Sequence, residues 1–222
     1  MAITSTQKTE ILKIVAGLFN AAPGGSNLTE LANLVSGGMT TSQLADALAA
    51  NTLFTNGIMG GKVTVEDQAA VLAHNFGLAA DSDPASAGSQ AVAYITQLIN
   101  DGVGFGNIVV QAVTYLSGPP APATEFTEAA TLLANKALVA DAYSKTTSSS
   151  DLSTLQNVFS AVKGDHVYTL AEAKAIADGV TIDTSTFALT TGTDNVSGTS
   201  GNDTIIGEFN ATAALTTIGA SD

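Results

Sequence analysis

Apolar residues between about Thr6 and Gly179 recur at helical spacing, with polar residues at the positions between them. The first stripe follows i, i+3, i+4, i+7 and i+8, which places its side chains on one face of an amphipathic helix. Similar stripes follow, separated by glycine, proline and serine clusters that end helices. The pattern therefore predicts a mainly α region. The stripes are Ile11, Ile14, Val15, Leu18 and Phe19; Leu28, Leu31, Leu34 and Val35; Leu44, Ala47 and Leu48; Val65, Ala69, Leu72, Ala73 and Phe76; Val92, Ile95, Leu98 and Ile99; Ile108, Val109, Ala112, Val113 and Leu116; Leu132, Leu133, Leu138 and Tyr143; and Leu152, Leu155, Val158, Phe159 and Val162.

Capping residues mark several of the predicted helix ends. Thr169 and Glu172 form a full capping box, and Thr64 with Asp67 is a variant of it. Gly179 supplies the flexible residue at which the last helix is predicted to stop. These signals come from local chemistry and do not depend on the hydrophobic stripe.

Other boundaries are less sharply defined. Either Ser26 or Asn27 is suited to cap the second helix, because a short polar side chain can accept from the first free amides. Pro84 is predicted at or near the first position of the fifth helix, where its missing N–H is not needed. Thr124 is predicted to cap the helix that follows a stiff Pro-rich connector.

The helical region also contains a weak longer repeat. A helix that ends near an aromatic residue is followed by a helix that ends at glycine and by a third, short helix. Such repetition is typical of stacked helical scaffolds, although any all-α sequence offers similar echoes. The three copies pass through Phe19, Gly38 and Leu48; Phe76, Gly102 and Val113; and Tyr143, Gly164 and Ile176.

From Val180 the hydrophobic period changes. The segment 180–184 alternates in twos and is rich in β-branched residues, which is typical of strands. The sequence therefore predicts two domains, a helical one at 1–179 and the start of a β-rich one at 180–222.

Two nonamers, 189–197 and 198–206, align residue by residue. Compared with the consensus G-G-x-G-x-D-x-U-x, in which U is an apolar residue, each nonamer supplies the inner glycine, the aspartate and the apolar residue. Glycine permits a tight turn, while aspartate and turn carbonyls offer the hard oxygen ligands that calcium prefers. The matched positions are Gly192 and Gly201, Asp194 and Asp203, and Val196 and Ile205.

The charge of the chain excludes some partners. Seven lysines and no arginine stand against 20 carboxylates, so the formal net charge is -13. Binding to a nucleic-acid backbone is therefore not expected. An acidic chain also repels an anionic surface unless divalent cations bridge the two. The first residues lack a basic region followed by an apolar run, and no apolar stretch is long enough for a transmembrane helix.

Motifs for catalysis are missing from the sequence. The two histidines, His74 and His166, have no metal-ligand neighbours at helical spacing. The glycines of 102–106 do not fit a phosphate-binding loop and follow a helix rather than a strand. There is no cysteine for thiol chemistry or zinc binding. We therefore expect no catalytic residues and no enzymatic activity.

Candidates for ligand binding in the helical region are few. The loop carboxylates Asp81, Asp83 and Asp101 could bind calcium, but turn chemistry explains the first two equally well and is favoured. Polysaccharide binding would use aromatic faces, for which the chain offers tyrosines and no tryptophan. These tyrosines are expected to be half-buried packing residues with wet hydroxyls, so the carbohydrate-binding residues stay unknown. They are Tyr94, Tyr115, Tyr143 and Tyr168.

The nonamer segment, Leu-Thr-Thr-Gly-Thr-Asp at 189–194 with Ser-Gly-Thr at 197–199 and Asn-Asp-Thr at 202–204, resembles the RTX, hemolysin-type calcium-binding class. More closely, it is similar to the Caulobacter-type S-layer proteins, over about 20 residues. The helical region resembles their anchoring domain only in style, and also a helical repeat domain of unknown function found in secreted surface proteins.

The resemblance implies type I secretion to the bacterial cell surface. It implies a helical part that anchors the protein to lipopolysaccharide O-polysaccharide, and a β-rich RTX-like β-roll that assembles a two-dimensional lattice of this protein with calcium. A third nonamer would need glycine and aspartate at 210 and 212, where Asn210 and Thr212 stand. The two nonamers are therefore expected to supply calcium half-sites. The metal-binding residues implied are Gly192, Asp194, Gly201, Asn202 and Asp203.

The sequence leaves two other functions open. The helical region could bind a partner or a surface as part of an RTX adhesin or matrix protein. It could also belong to a secreted enzyme with its catalytic part beyond residue 222. The favoured hypothesis is a structural, self-assembling S-layer protein represented by its anchoring domain and the start of a calcium-dependent region.

Overall fold

The computed structural model describes residues 3–179, 186–188 and 204–206. The chain divides into two compact units, Met1–Val180 and Thr181–Asp222. The described part of the first unit contains nine α-helices, a π-helical turn at Leu53–Ile58 and a 3-10 turn at Thr124–Phe126. The helices are α1 Ser5–Phe19, α2 Gly25–Ser36, α3 Thr41–Ala49, α4 Val65–Asn75, α5 Ala87–Asn100, α6 Phe105–Ser117, α7 Thr127–Ser144, α8 Leu152–Asn157 and α9 Leu170–Ala177.

The predicted fold class, a mainly α chain that continues into the start of a β-rich RTX-like β-roll, is wrong. The fold that the structure supports is helical, with 66% of the interpretable residues in helices. The β-roll was predicted on 180–222, and most of that stretch, including the five predicted calcium ligands, lies outside the described residues. The described remainder is too small to form a sheet domain on its own.

That remainder is one pair of short strands, β1 Thr186–Ala188 and β2 Thr204–Ile206. The strands are parallel, and Thr186 faces Thr204 in the register. Paired residues are therefore two nonamer lengths apart in the chain.

Helix α1 lies at the centre of the first unit and packs on α7, α6, α3 and α4. Its predicted apolar stripe is confirmed, because every residue from Ile14 to Phe19 is buried along with Ile11 and Leu12. Gly17 marks the closest approach, since an added Cβ would lie 2.7 Å from the Phe76 ring and 2.8 Å from Val109. Small size at this position lets α4 and α6 pack directly on the α1 backbone.

The predicted capping of α4 and α9 is confirmed. The hydroxyl of Thr64 accepts from the backbone amide of Asp67, and Thr169 and Glu172 form a complete capping box. Gly179 adopts φ +77°, a left-handed conformation that suits glycine after a helix end.

Three other boundaries differ from prediction. Helix α2 begins at Gly25 with Gly24 as its cap, ahead of the predicted caps Ser26 and Asn27. Helix α5 begins at Ala87 with Ser86 as its cap, because Pro84 lies in the preceding turn. Thr124 begins the 3-10 turn and does not cap α7.

The nine helices of the described first unit follow one another as three groups of three. Phe19 ends α1, Phe76 directly follows α4, and Tyr143 lies in the last turn of α7; all three are buried. These are the aromatic positions of the weak sequence repeat. The structural equivalence of the three groups stays a prediction.

A buried lysine in the middle of α7 joins the C-terminal ends of α1 and α4. Lys136 of α7 is 5% exposed, and its ammonium donates to the side-chain oxygen of Asn20 and the backbone carbonyl of Asn75, both at 2.7 Å. The Asn75 amide donates in turn to the carbonyls of Gly17 and Leu18 in the last turn of α1. Carbonyl groups left free at helix ends therefore find partners inside the core.

Candidate functional site: two grooves beside helix α6

Two grooves in the first unit flank helix α6. The first lies between α1, α6 and the start of α3, and it encloses about 500 Å³. We call it the hydroxyl groove because six of its lining side chains are serine or threonine. They are Ser5, Thr6, Thr9, Thr41, Thr114 and Ser117.

Several of these hydroxyls are already oriented by the protein. Thr9 donates to the Ser5 carbonyl at 3.0 Å, and Thr114 donates to the Val110 carbonyl at 2.8 Å. Each hydroxyl has one donor and two acceptor lone pairs, so these threonines present acceptors toward the groove.

Lys13 supplies the cation of the hydroxyl groove. Its ammonium donates to the hydroxyl of Ser117 at 2.7 Å, joining α1 to α6. Burial lowers the pKa of Lys13, and the nearby Glu10 carboxylate opposes that shift. An ammonium has three donors, and Ser117 takes only one of them. Within the described part of the chain, Lys13 makes no salt bridge, so donors stay available to a ligand.

Most other lysines are occupied elsewhere. Lys8 and Lys145 both pair with Asp141, and Lys174 pairs with Asp178. Lys136 lies in the core. Of the remaining lysines, Lys13 is the one that lines a groove.

The second groove lies between α5, α6 and the 3-10 turn, and it encloses about 710 Å³. We call it the apolar groove because its floor is formed by Phe76, Ile95 and Ile108, all buried. It opens because α5 packs mainly on α4 while α6 packs mainly on α3, which leaves the facing sides of α5 and α6 apart.

Two exposed tyrosines border the apolar groove. Tyr94 is 57% exposed and Tyr115 is 47% exposed. The Tyr115 ring meets Phe126 edge to face at 5.6 Å, and its hydroxyl accepts from the Ala123 amide at 3.2 Å. These two tyrosines are therefore about half-buried, as expected, whereas Tyr143 and Tyr168 are more deeply buried than expected, at 6% and 8% exposure.

The two histidines occupy different settings. His74 is exposed in the last turn of α4. His166 is within hydrogen-bond distance of Asp165 at 2.8 Å and of Glu172 at 3.3 Å. Burial acts to lower the pKa of His166, but the interactions with these two carboxylates outweigh it and raise that pKa.

A buried amide holds the loop that carries His166. Asn135 of α7 is 1% exposed, and its side chain donates to the carbonyls of Lys163 and His166 at 2.8 and 2.7 Å. It also accepts from the Tyr168 amide at 2.9 Å. Both of its N–H donors and its side-chain oxygen bind the loop, so this cluster has a structural explanation.

The loop carboxylates Asp81 and Asp83 accept the local backbone hydrogen bonds expected of turn residues. The amides of Asp83 and Ala85 donate to the carboxylates of Asp81 and Asp83 at 2.8 and 2.9 Å. Asp101 directly follows α5 as its C-terminal cap residue. The described residues bring no three His, Asp or Glu side chains together as a metal site.

No family model, curated protein or solved structure matches this chain. Among the helices that the structure describes, none combines the length and apolar content needed to cross a membrane.

Proposed function

We propose that the helical unit anchors a secreted S-layer-type protein to the bacterial surface by binding lipopolysaccharide O-polysaccharide in the hydroxyl groove. The nonamers at 189–206 support the class of protein, through their resemblance to the RTX and S-layer families. The groove supports the ligand class, because its donors and acceptors match those of a saccharide.

The juxtaposition of Lys13 with Ser117 carries this proposal. A sugar presents hydroxyls and ring oxygens that both donate and accept. The Lys13 ammonium can donate to such oxygens, while Glu10 and the oriented threonine hydroxyls can accept from sugar O–H groups. A small number of placed polar groups in a concave site is the usual basis of ligand orientation.

The charge of the chain favours an uncharged stretch of polysaccharide. With a net charge of -13, the protein gains nothing from long-range attraction to phosphate-rich surfaces. Recognition through hydroxyls avoids that repulsion.

Binding to purified lipopolysaccharide with and without O-polysaccharide tests the proposal. We expect binding only when the O-polysaccharide is present. Replacing Lys13→Met keeps the aliphatic stem and removes the charge, and should weaken binding by roughly tenfold or more, since a charge-assisted hydrogen bond is lost. Ser117→Ala should weaken it less, because the ammonium remains.

Lys62→Met is the matched control, because Lys62 is exposed and lies outside both grooves. Equal binding to both lipopolysaccharide forms would contradict the proposal. So would an equal loss in the Lys13 and Lys62 variants.

Calcium and self-assembly belong to the same proposal. We propose that the nonamer residues contribute oxygen ligands to calcium and that the protein forms a two-dimensional lattice when calcium is present. Electron microscopy of intact cells should show a periodic layer with calcium and lose it with a chelator. Asp194→Asn with Asp203→Asn should abolish the layer, whereas Asp101→Asn should retain it. A layer that persists with chelator and in the double variant would refute the calcium role.

A further inference from the structure

The hydroxyl groove and the apolar groove meet along one ridge of α6. Val110 and Thr114 line both grooves. These residues are four apart, so they stand one above the other on the helix surface. Only the width of this ridge separates the hydroxyl groove, which suits a saccharide, from the apolar groove. A single ligand can therefore contact both.

The apolar groove has no charge to offer a ligand. None of the side chains that line it in the described structure is ionisable at neutral pH, although the chain has 20 carboxylates. Its amide and hydroxyl groups are partly committed, since Gln90 donates to the Ala85 carbonyl at 2.6 Å and the Tyr115 hydroxyl accepts from Ala123. A ligand would bind there chiefly by burying apolar surface.

We propose that the two grooves hold one amphiphile, an acylated saccharide whose sugar lies in the hydroxyl groove and whose aliphatic chain lies in the apolar groove. The inference rests on the proposed saccharide binding and adds a second, apolar part to the ligand. The sugar and the aliphatic chain of the ligand are joined at the ridge formed by Val110 and Thr114.

The shape of the apolar groove suits an aliphatic chain. Its volume of about 710 Å³ lies in the usual range of ligand pockets, and its buried floor is continuous with the protein core. The exposed rings of Tyr94 and Tyr115 flank the groove. There each ring can cover the aliphatic chain of the ligand while the tyrosine hydroxyl stays in water.

The test uses alkyl glucosides of increasing chain length, from hexyl to decyl, below their critical micelle concentrations. Isothermal titration should show an affinity that rises by up to about fourfold per added methylene until the groove is filled. An affinity that does not depend on chain length would overturn the inference.

Variants that fill the apolar groove test where the aliphatic chain of the ligand binds. Gln111 is exposed and lines the apolar groove, so Gln111→Trp should fill the groove without disturbing the core and remove the chain-length dependence. Ala91→Trp should do the same from α5. Ala93→Trp places the same bulk on an exposed site of α5 outside the lining and should bind like the wild type. Equal chain-length dependence in all three variants would overturn the assignment to this groove.

Lys13→Met separates this inference from the proposed function. It should lower the affinity for every glucoside by the same factor and leave the chain-length dependence unchanged. If chain-length dependence is present but Lys13→Met has no effect, the sugar is not in the hydroxyl groove and both proposals fail. If Lys13→Met weakens binding but chain length has no effect, only the amphiphile is refuted.

Discussion

The ammonium of Lys136 donates a 2.7 Å hydrogen bond to the backbone carbonyl of Asn75 inside the core. A carboxylate would be the usual partner of a buried lysine, but here the partners are the C-terminal end of α4 and the Asn20 side chain at the end of α1. The partial negative charge of helix C-termini favours a cation at this place. Burial nevertheless lowers the pKa of Lys136 to about 8.

This pKa predicts that the protein becomes more stable in mild alkali. The unfolded chain holds the lysine proton up to about pH 10.4, whereas the folded state releases it near 8. Between these values the unfolded state binds more protons, so the free energy of unfolding rises with pH. Urea denaturation should show a gain of about 2 kcal/mol between pH 7 and pH 9.5 from this group.

Lys136→Met is the control for the alkaline gain, since it removes the titrating group and keeps a similar length. Its free energy of unfolding should lack the rise between pH 7 and pH 9.5, whatever its stability at neutral pH. An equal rise in the variant would assign the effect to another group.

Asn135 is expected to be one of the costliest polar residues to replace. Asn135→Ala leaves the carbonyls of Lys163 and His166 and the Tyr168 amide without their side-chain partner. Each buried group left unsatisfied costs about 1–3 kcal/mol, so a loss of roughly 3 kcal/mol or more in unfolding free energy is expected. Asn100→Ala, at the exposed end of α5, should change it by less than about 0.5 kcal/mol. Comparable losses in the two variants would show that the loop is not held by Asn135.

His166 should stabilise the fold in mild acid. Because its pKa is raised in the folded state, its contribution is present below the unfolded value of about 6.5 and is lost as pH rises through the folded value. The side chain is partly exposed, so the effect should stay below about 1 kcal/mol. Wild type and His166→Gln should differ more in unfolding free energy at pH 5.5 than at pH 8.5.

His74→Gln is the matched control for that comparison. His74 is exposed, and its imidazole makes no hydrogen bond within the described part of the chain. Its replacement removes no contact with a carboxylate, so it should change the free energy of unfolding less than His166→Gln does at pH 5.5. If His74→Gln shows a pH-dependent difference of similar size, the effect at His166 does not come from its contacts with Asp165 and Glu172.

Around α8 the apolar stripe predicts burial better than it predicts the helix end. The stripe of Leu152, Leu155, Phe159 and Val162 is apolar at helical spacing, yet α8 ends at Asn157. Phe159, in the turn that follows α8, and Val162, just after that turn, are buried all the same. Apolar spacing reports which side chains reach the core, whereas the backbone conformation there depends on tertiary packing.

The grooves could be predicted only in part. Thr6, Thr9, Glu10 and Lys13 follow i, i+3, i+4 and i+7 on α1, so a polar stripe is readable from the sequence. That this stripe meets Ser117, 104 residues away, depends on how α1 and α6 pack. The exposure of Tyr94 depends in the same way on the separation of α5 from α6, which no local pattern encodes.

The crossing of α3 and α6 gives the last prediction. Gly106 lies so close to α3 that an added Cβ would stand 2.6 Å from the Ala45 carbonyl carbon and the Asp46 amide nitrogen. Backbone atoms cannot rotate away, so Gly106→Ala should push α6 outward and reduce the free energy of unfolding by about 2–3 kcal/mol. Gly57→Ala is the control, because its nearest atom is a Leu152 methyl at 3.8 Å, and it should change stability by less than about 1 kcal/mol. Since α6 lines both grooves, the Gly106 variant should also weaken saccharide binding where it remains folded. A fully stable Gly106→Ala protein would show that α3 and α6 do not cross this closely.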